Sequence, residues 1–496
     1  SMECKMVCLW VLYSSFDVIL SLRPTYPFYV TQLLIKMTSH SPMDIQRLDT
    51  VCHNDNTVDL LLLSLGHVGR FSSRSLIGHR VSNKITPGLL SVIFLTGGAD
   101  NAGGQAMIWW LVPLSGRGQI SMCQSILTSF IKSPKGHQVI FALQRTMSYS
   151  TDEVLLQTVK NKGIITLNRP KALNALNLSM VRQILPALRE WEKDKNLVLI
   201  KGAGEKAFCA GGDVRAVVES SLKKDKLGQD FFKEEYTLNS LIGTYHIPYI
   251  AFIDKITMGG GVGLSVHGKY RVATERTLFA MPESAIGFFC DVGGSYFLPR
   301  LGGKLGLYLG LTGTRLKGGD VLKAGIATHY CESSQLDQLE KELLDHGNSS
   351  ADVEKILQTF SKPVNDFSLA IYKKQINQCF SAPTVEGILA RLQDDGSDWA
   401  TSTLATLKKL SPTSLKVIKK LIEEGSTKSL QDCLAMEYRV ACQFLESISD
   451  FHEGVRAVLI DKDHAPKWKP ATLEEVTDKL VERYFAPLPP DQELVL

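Results

Sequence analysis

The residues best suited to chemistry in this chain lie between positions 256 and 300. A run of three glycines, Gly259 to Gly261, is followed there by two carboxylates, Glu283 and Asp291, in otherwise apolar surroundings. Glycine lets a backbone approach a ligand closely, and the first turn of a helix leaves N–H groups without intrahelical acceptors. Such N–H groups suit a carbonyl oxygen on which negative charge develops. A carboxylate beside them can then act as base or nucleophile on the carbon that bears that oxygen. A second glycine-bearing turn, AFCAGGDV at 207–214, has the same form and contains Gly212. Each residue alone has a plainer reading. The glycines would permit tight strand-to-helix packing, Asp291 would cap a helix before Val292-Gly293-Gly294, and Glu283 would be a surface charge.

Turns of this kind need strands and helices to aim them. The segment 197–200 is a short apolar strand that leads into the first glycine turn, and a helical pattern follows through Val218. The segment 249–253 is strand-like and leads into the glycine run, which would open another helix. Strand, glycine turn and helix thus recur twice, which argues for an α/β architecture. Upstream, 153–160 and 163–167 pattern as paired strands, the second ended at Pro170 because proline has no N–H to give to a ladder. Apolar residues at helical spacing mark 176–194 and 230–242, and the latter carries Glu234 and Glu235. Beyond Arg300 helices dominate: 304–311, 318–325, 335–346, 352–360, 366–379, 384–394, 398–408, 412–424, 428–446, and one more through DFHEGVRAVLIDKD.

Composition narrows the classes. At 496 residues the chain exceeds one ordinary domain, and 44% hydrophobic with 21% charged residues describes a globular protein. A net charge of +4, with no Lys/Arg block interleaved with aromatics, argues against nucleic acid as partner. No stretch reaches the ~18 uninterrupted apolar residues of a membrane span, so no membrane is expected. Ten cysteines without a CxxC pair give neither metal-finger spacing nor a disulfide framework, and reduced thiols are expected. The tract Asp461-Lys462-Asp463 lacks the glycine and closing glutamate of a calcium loop, so no metal is implied.

From about 151 to 469 the sequence resembles the crotonase superfamily of acyl-CoA enzymes. The stretches that carry the resemblance are GIITLNRPKALNAL, KAFCAGGDVR, ITMGGGVGLSVHG, MPESAIGFFCDVGG, LSPTSLK and DFHEGVRAVLIDKD. The resemblance implies a crotonase-like spiral of ββα units with a helical C-terminal region. It implies an oxyanion hole at Gly212 and Gly260, catalytic acids at Glu283 and Asp291, and substrate contacts at Glu235, Gly260, Glu283 and Asp291. The implied reaction is hydrolysis of the thioester of 3-hydroxyisobutyryl-CoA and related 3-hydroxyacyl-CoA such as 3-hydroxypropionyl-CoA, in valine breakdown in the mitochondrial matrix. The implied partner is a small-molecule acyl-CoA, with no cofactor beyond the CoA of the substrate. Lys171 and Arg215 become candidates for the CoA phosphates. Enoyl-CoA hydratases of the superfamily use two glutamates; one falls at Glu283 and the other at Gly263, which has no side chain. Hydration or isomerisation, and silent acyl-CoA binding, remain the alternatives. The family usually has proline before the aspartate, where this chain has Cys290, so a looser loop around Asp291 is expected. His267 and His452 read as core or capping residues.

The domain expectation follows. Residues 1–146, acid-poor and without sustained periodicity, form an atypical and poorly ordered extension that includes a targeting sequence or none. Residues 150–340 form the catalytic core, 341–480 the helical region and 481–496 a tail.

Overall fold

The computed structural model describes residues 152–446 and 448–496 and, before them, six strand segments. Those segments, Cys8–Val11, Val18–Thr25, Val30–Met37, Leu48–Asp49, Leu90–Thr96 and Met107–Pro113, pair antiparallel in two three-stranded sheets. The rest of 1–146, and the extension and targeting sequence expected there, lie outside the described residues.

In the unit Tyr149–Leu496 the chain runs through β1 (Val154–Val159), β2 (Lys162–Leu167), α1 (Leu178–Trp191), β3 (Leu197–Gly202), β4 (Ala207–Cys209), α2 (Val214–Lys223) and α3 (Leu227–Gly243). It continues through β5 (Tyr249–Phe252), β6 (Ile256–Met258), α4 (Gly260–Gly263), β7 (Tyr270–Ala273), β8 (Leu278–Ala280), a 3-10 turn Glu283–Ile286 and α5 (Gly294–Phe297). Then come α6 (Leu305–Thr312), β9 (Leu316–Lys317), α7 (Gly319–Lys323) and β10 (His329–Tyr330). Helices complete it: α8 (Leu336–His346), α9 (Ser350–Phe360), α10 (Lys373–Phe380), α11 (Val385–Asp395), α12 (Asp398–Leu407), α13 (Pro412–Gly425), α14 (Leu430–Glu446), α15 (Asp450–Val455) and α16 (Asp478–Tyr484).

Two sheets grow side by side. One has the order β10-β7-β5-β3-β2-β1, parallel except for the β1–β2 hairpin. The other has the order β4-β6-β8-β9, parallel except for the last pair. Three times in succession the chain places one strand in the first sheet, the next in the second, and then turns: β3 to β4, β5 to β6, β7 to β8. This is the expected spiral of ββα units. Because β4, β6 and β8 run parallel, with Cys209 opposite Thr257 and Thr257 opposite Phe279, their C-terminal ends meet at one edge. The C-terminal edge of parallel strands is where such folds bind ligands.

The strands are apolar on both faces because both faces are covered. In β3, Val198 and Ile200 enter the main core, whereas Leu197 and Leu199 enter a second cluster with Leu339 and Leu343 of α8 and Val353 and Leu357 of α9. The C-terminal helices close over the edge that carries the turns. A Cβ at Gly287 would run into the Asp450 carbonyl, and one at Gly454 into the Ile286 carbonyl, so α15 lies backbone against backbone on the turn of Glu283.

Several boundaries depart from the sequence reading. The glycine run opens a helix of one turn only, α4, before Ser265 to Gly268 bend away. Strands β4, β6 and β8 are three residues each, too short to register as periodic runs. The segment 366–379 holds a 3-10 turn at Ala370–Tyr372 and the shorter α10. Helix α16 runs across position 480.

The α15 contact is testable. Gly454→Ala is expected to lower the urea midpoint by the equivalent of about 1–3 kcal/mol, whereas Gly302→Ala, with open space around its Cβ, leaves it unchanged. Equal midpoints for the two variants would show that α15 is free to shift.

Candidate active site

The first glycine turn is set by a small knot of side chains. Asn174, fully buried and in the left-handed region at φ 55°, accepts from the Arg169 N–H at 2.8 Å and donates to the carbonyls of Ala203 and Ala207 at 2.9 Å each. Asparagine tolerates this conformation better than most residues. The Arg169 side chain donates to the Ala175 carbonyl at 2.6 Å and pairs with Glu153 at 3.0 Å and Asp213 at 3.1 Å. Leu176 then bridges the turn, receiving at its carbonyl the Asp213 N–H and donating its own N–H to Gly211, both at 2.8 Å. Between these two bonds the Gly212 N–H donates to no backbone carbonyl among the described residues.

The second turn comes from β6. Gly259 has φ 44° and ψ −118°, a conformation closed to ordinary L residues, and its carbonyl accepts from Val262 at 2.7 Å. Gly260 is the first residue of α4, where an N–H has no intrahelical acceptor. A Cβ at Gly260 would lie 3.4 Å from Gly212 N and 2.8 Å from Glu235 Oε1, and one at Gly259 would lie 3.1 Å from Glu283 Oε1. The two turns and two of the acids therefore meet in one place.

All five residues expected from the sequence converge. Glu235, on the inner face of α3, is 2% exposed and its Oε1 has no protein partner; its neighbour Glu234 faces outward and forks onto Arg182 at 2.6–3.0 Å. Glu283, on the 3-10 turn after β8, is 6% exposed with Oε2 unpartnered. Asp291 is equally buried, and its Oδ2 accepts the Tyr236 hydroxyl at 2.8 Å. No cation is among the groups that act on these three acids. Burial alone raises Glu235 and Glu283 well above the usual carboxylate range, and the charge of Asp291 raises both further. Burial pushes Asp291 up to about 7, against the pull of the Tyr236 hydroxyl. All three acids are thus shifted toward their protonated forms.

Three neighbours were not named as site residues from the sequence. Tyr236 holds Asp291. Asn239 is fully buried one turn beyond Glu235, and both polar atoms of its side chain lack protein partners. Its carboxamide fills the space in front of Gly263, where a Cβ would lie 2.8 Å from Asn239 Nδ2 and 2.7 Å from Val292 Cβ. Glu437 of α14 accepts from Gly293 and Ser295 just after Asp291. The i, i+4 spacing of Glu235 and Asn239 on one apolar helix face was the available signal for Asn239. Nothing local marks Glu437.

The remaining candidates resolve into structural roles. His267 Nε2 lies 2.7 Å from the Val292 carbonyl, to which it donates, and burial pushes the ring down to about 4, so it is neutral. His452 Nδ1 accepts from the Ser449 N–H at 3.2 Å in a capping box, which leaves Nε2–H to donate to Ser221 at 2.9 Å. That tautomer cannot deprotonate the serine. Cys290 is buried, with its thiol 3.3 Å from the Gly310 carbonyl, and burial with the nearby Glu283 and Asp291 keeps the thiol protonated. Arg215 pairs with Glu219 of its own helix at 2.8 Å, and Lys171 is exposed. Arg456 takes Asp461 and Asp463 at 2.7 Å each, which accounts for that acidic tract.

Two facing glycine turns thus lie over buried acids at the C-terminal edge of a ββα spiral. The chain belongs to the enoyl-CoA hydratase/isomerase family, whose sequence model matches residues 162–485. It is similar to the 3-hydroxyisobutyryl-CoA hydrolase, mitochondrial, of Rattus norvegicus, 55% identical over 354 residues that cover 70% of this chain and 92% of the relative. The Homo sapiens protein of the same name is 54% identical over 353 residues, 69% of this chain and 91% of the relative. Among solved structures, a carnitinyl-CoA dehydratase from Mycobacterium thermoresistibile matches with a TM-score of 0.65 and 40% identity, over 69% of this chain and 98% of that one.

The raised Asp291 pKa has a sign that can be checked. Its folded value lies above its unfolded one, so the native state binds the extra proton and stability falls as pH rises from about 4 to about 7. Asp291→Asn removes this slope. The variant is expected to be more stable than the parent at pH 8, by roughly 1–4 kcal/mol, with the gain vanishing near pH 4. A gain independent of pH would contradict a buried, proton-holding Asp291.

Proposed function

We propose that this protein hydrolyses the thioester of 3-hydroxyisobutyryl-CoA, and of related 3-hydroxyacyl-CoA such as 3-hydroxypropionyl-CoA, to free acid and CoA. The place of the reaction is valine breakdown in the mitochondrial matrix, a reading supported by the names of relatives more than half identical to this chain. The observation that carries the reaction class is at Gly263. A hydratase of this family would need a glutamate there, and the space is taken by Val292 and Asn239. The second acid is Asp291, on a different loop.

In this reading the thioester oxygen lies between the N–H groups of Gly212 and Gly260. Attack on the carbonyl carbon puts negative charge on that oxygen, and donors fixed beforehand stabilise it without reorganising; each is worth about 3 kcal/mol. Glu283 attacks the carbonyl carbon or takes a proton from the water that does, and two routes fit its place beside Gly259. The C–S bond breaks, the CoA sulfur leaves and is protonated, and the water oxygen ends in the carboxylic acid. Asp291, held by Tyr236, receives the hydroxyl on the third carbon of the acyl group, and Glu235 contacts the substrate beside Gly260. Hydrolysis changes no oxidation state, so the reaction calls for no redox cofactor. CoA enters only as part of the substrate.

The alternative is hydratase, isomerase or dehydratase chemistry, the last of these printed in the name of the solved relative. Release of free thiol separates the two. The protein is expected to release thiol from 3-hydroxyisobutyryl-CoA and not to hydrate crotonyl-CoA, with Glu283→Gln slower by about 100-fold to 10,000-fold. Hydration of crotonyl-CoA without thiol release would overturn the reaction class.

A further inference from the structure

The buried carboxylate of Glu437 is not used by the reaction described above, yet it binds the backbone two residues beyond an acid that is. Its Oε2 accepts the Gly293 N–H at 2.7 Å, and its Oε1 accepts the Ser295 N–H at 2.9 Å and the Ser295 hydroxyl at 2.6 Å. Glu437 is fully buried on α14, 144 residues away from Gly293 in sequence. Three donors and no acceptor around it suit an ionised carboxylate, although burial raises its pKa to about 8.

What these bonds hold is a strained step. Val292, fully buried, has φ 51°, a conformation that a β-branched residue reaches only under strain. It is the residue directly after Asp291. Three hydrogen bonds to one buried carboxyl group, two of them from the backbone just beyond Val292, oppose that strain. The left-handed valine turns the chain sharply between Asp291 and α5. The Asp291 carbonyl accepts from Gly294 at 2.8 Å, and His267 donates to the Val292 carbonyl. Relaxation of Val292 toward ordinary φ would swing Asp291 away from Tyr236 and from Glu235.

We infer that Glu437 is a positioning residue that keeps Asp291 in its reacting geometry by pinning the Val292–Gly293 step from the C-terminal helices. This rests on the reading of Asp291 as a group that meets the substrate.

The test is a double-mutant cycle on thiol release from 3-hydroxyisobutyryl-CoA. Glu437→Gln keeps the shape and removes one of the two acceptor oxygens. It is expected to lower kcat by about 10-fold to 100-fold with KM changed less than about 3-fold. In an Asp291→Asn background the same change is expected to cost less than about 3-fold more, because the group being positioned is already lost. Ser295→Ala, which removes a single bond to Oε1, runs through the same cycle and decides the matter if Glu437→Gln does not fold. A full, multiplicative loss in the Asp291→Asn background, or an unchanged kcat in folded Glu437→Gln, would overturn the inference. If Asp291→Asn by itself leaves kcat unchanged, the site reading fails instead, and the inference falls with it.

Discussion

Three carboxylates, Glu235, Glu283 and Asp291, are buried close together with no cation acting on them among the described residues. Left to itself a carboxyl in such a place would neutralise or turn outward, because transfer of its charge out of water is costly. The architecture is arranged so that none of them can turn outward. Glu235 projects from the middle of α3, whose inner face also carries Phe231, Phe232, Tyr236 and Asn239. Glu283 stands on a turn against which α15 packs backbone to backbone. Asp291 is fixed on one side by Tyr236 and followed at once by a left-handed valine that leaves its chain little freedom.

The C-terminal helices thereby become part of the site without supplying a group that meets the substrate. Gly287 and Gly454 let α15 approach the Glu283 turn, Gly425 at the end of α13 abuts the Ser295 carbonyl, and Glu437 of α14 binds the N–H groups that follow Asp291. A spiral of ββα units alone presents the glycine turns and Glu283 at its edge. The loop of the second acid is held from both sides, by His267 and Gly310 of the core and by Glu437 of the C-terminal helices.

Much of this was legible in the sequence, and what was not has physical causes. The glycine turns could be seen because only glycine takes the backbone angles at Gly259, and the acids because two carboxylates in apolar surroundings invite explanation. The alternation of strand, turn and helix was readable from β3 and β5, whose apolar runs are long enough to count. Strands β4, β6 and β8 were not, since three residues show no period, and with them went the second sheet. Glu234 and Glu235 are adjacent and chemically alike; resemblance to a family separated them, and the structure gives the reason, one on Arg182 and the other in the pocket. Tyr236 and Glu437 escaped because their partners are 55 to 144 residues away, and Asn239 because its side chain has no hydrogen-bond partner among the described residues. The loose loop expected from Cys290 is instead tied by Glu437, His267 and the Cys290 thiol itself.

At the centre of the account is a pocket in which Asp291 reads the hydroxyl on the third carbon of the acyl group while the glycine turns hold the thioester. The most direct measurement is kcat/KM for thiol release from 3-hydroxyisobutyryl-CoA against isobutyryl-CoA, which differs only in lacking that hydroxyl. A site built to pair a hydroxyl with a buried acid leaves that acid unpaired by the deoxy substrate, and discrimination of at least about 1,000-fold is predicted. Rates within about tenfold of one another, the range a hydrophobic pocket alone would give, would contradict it.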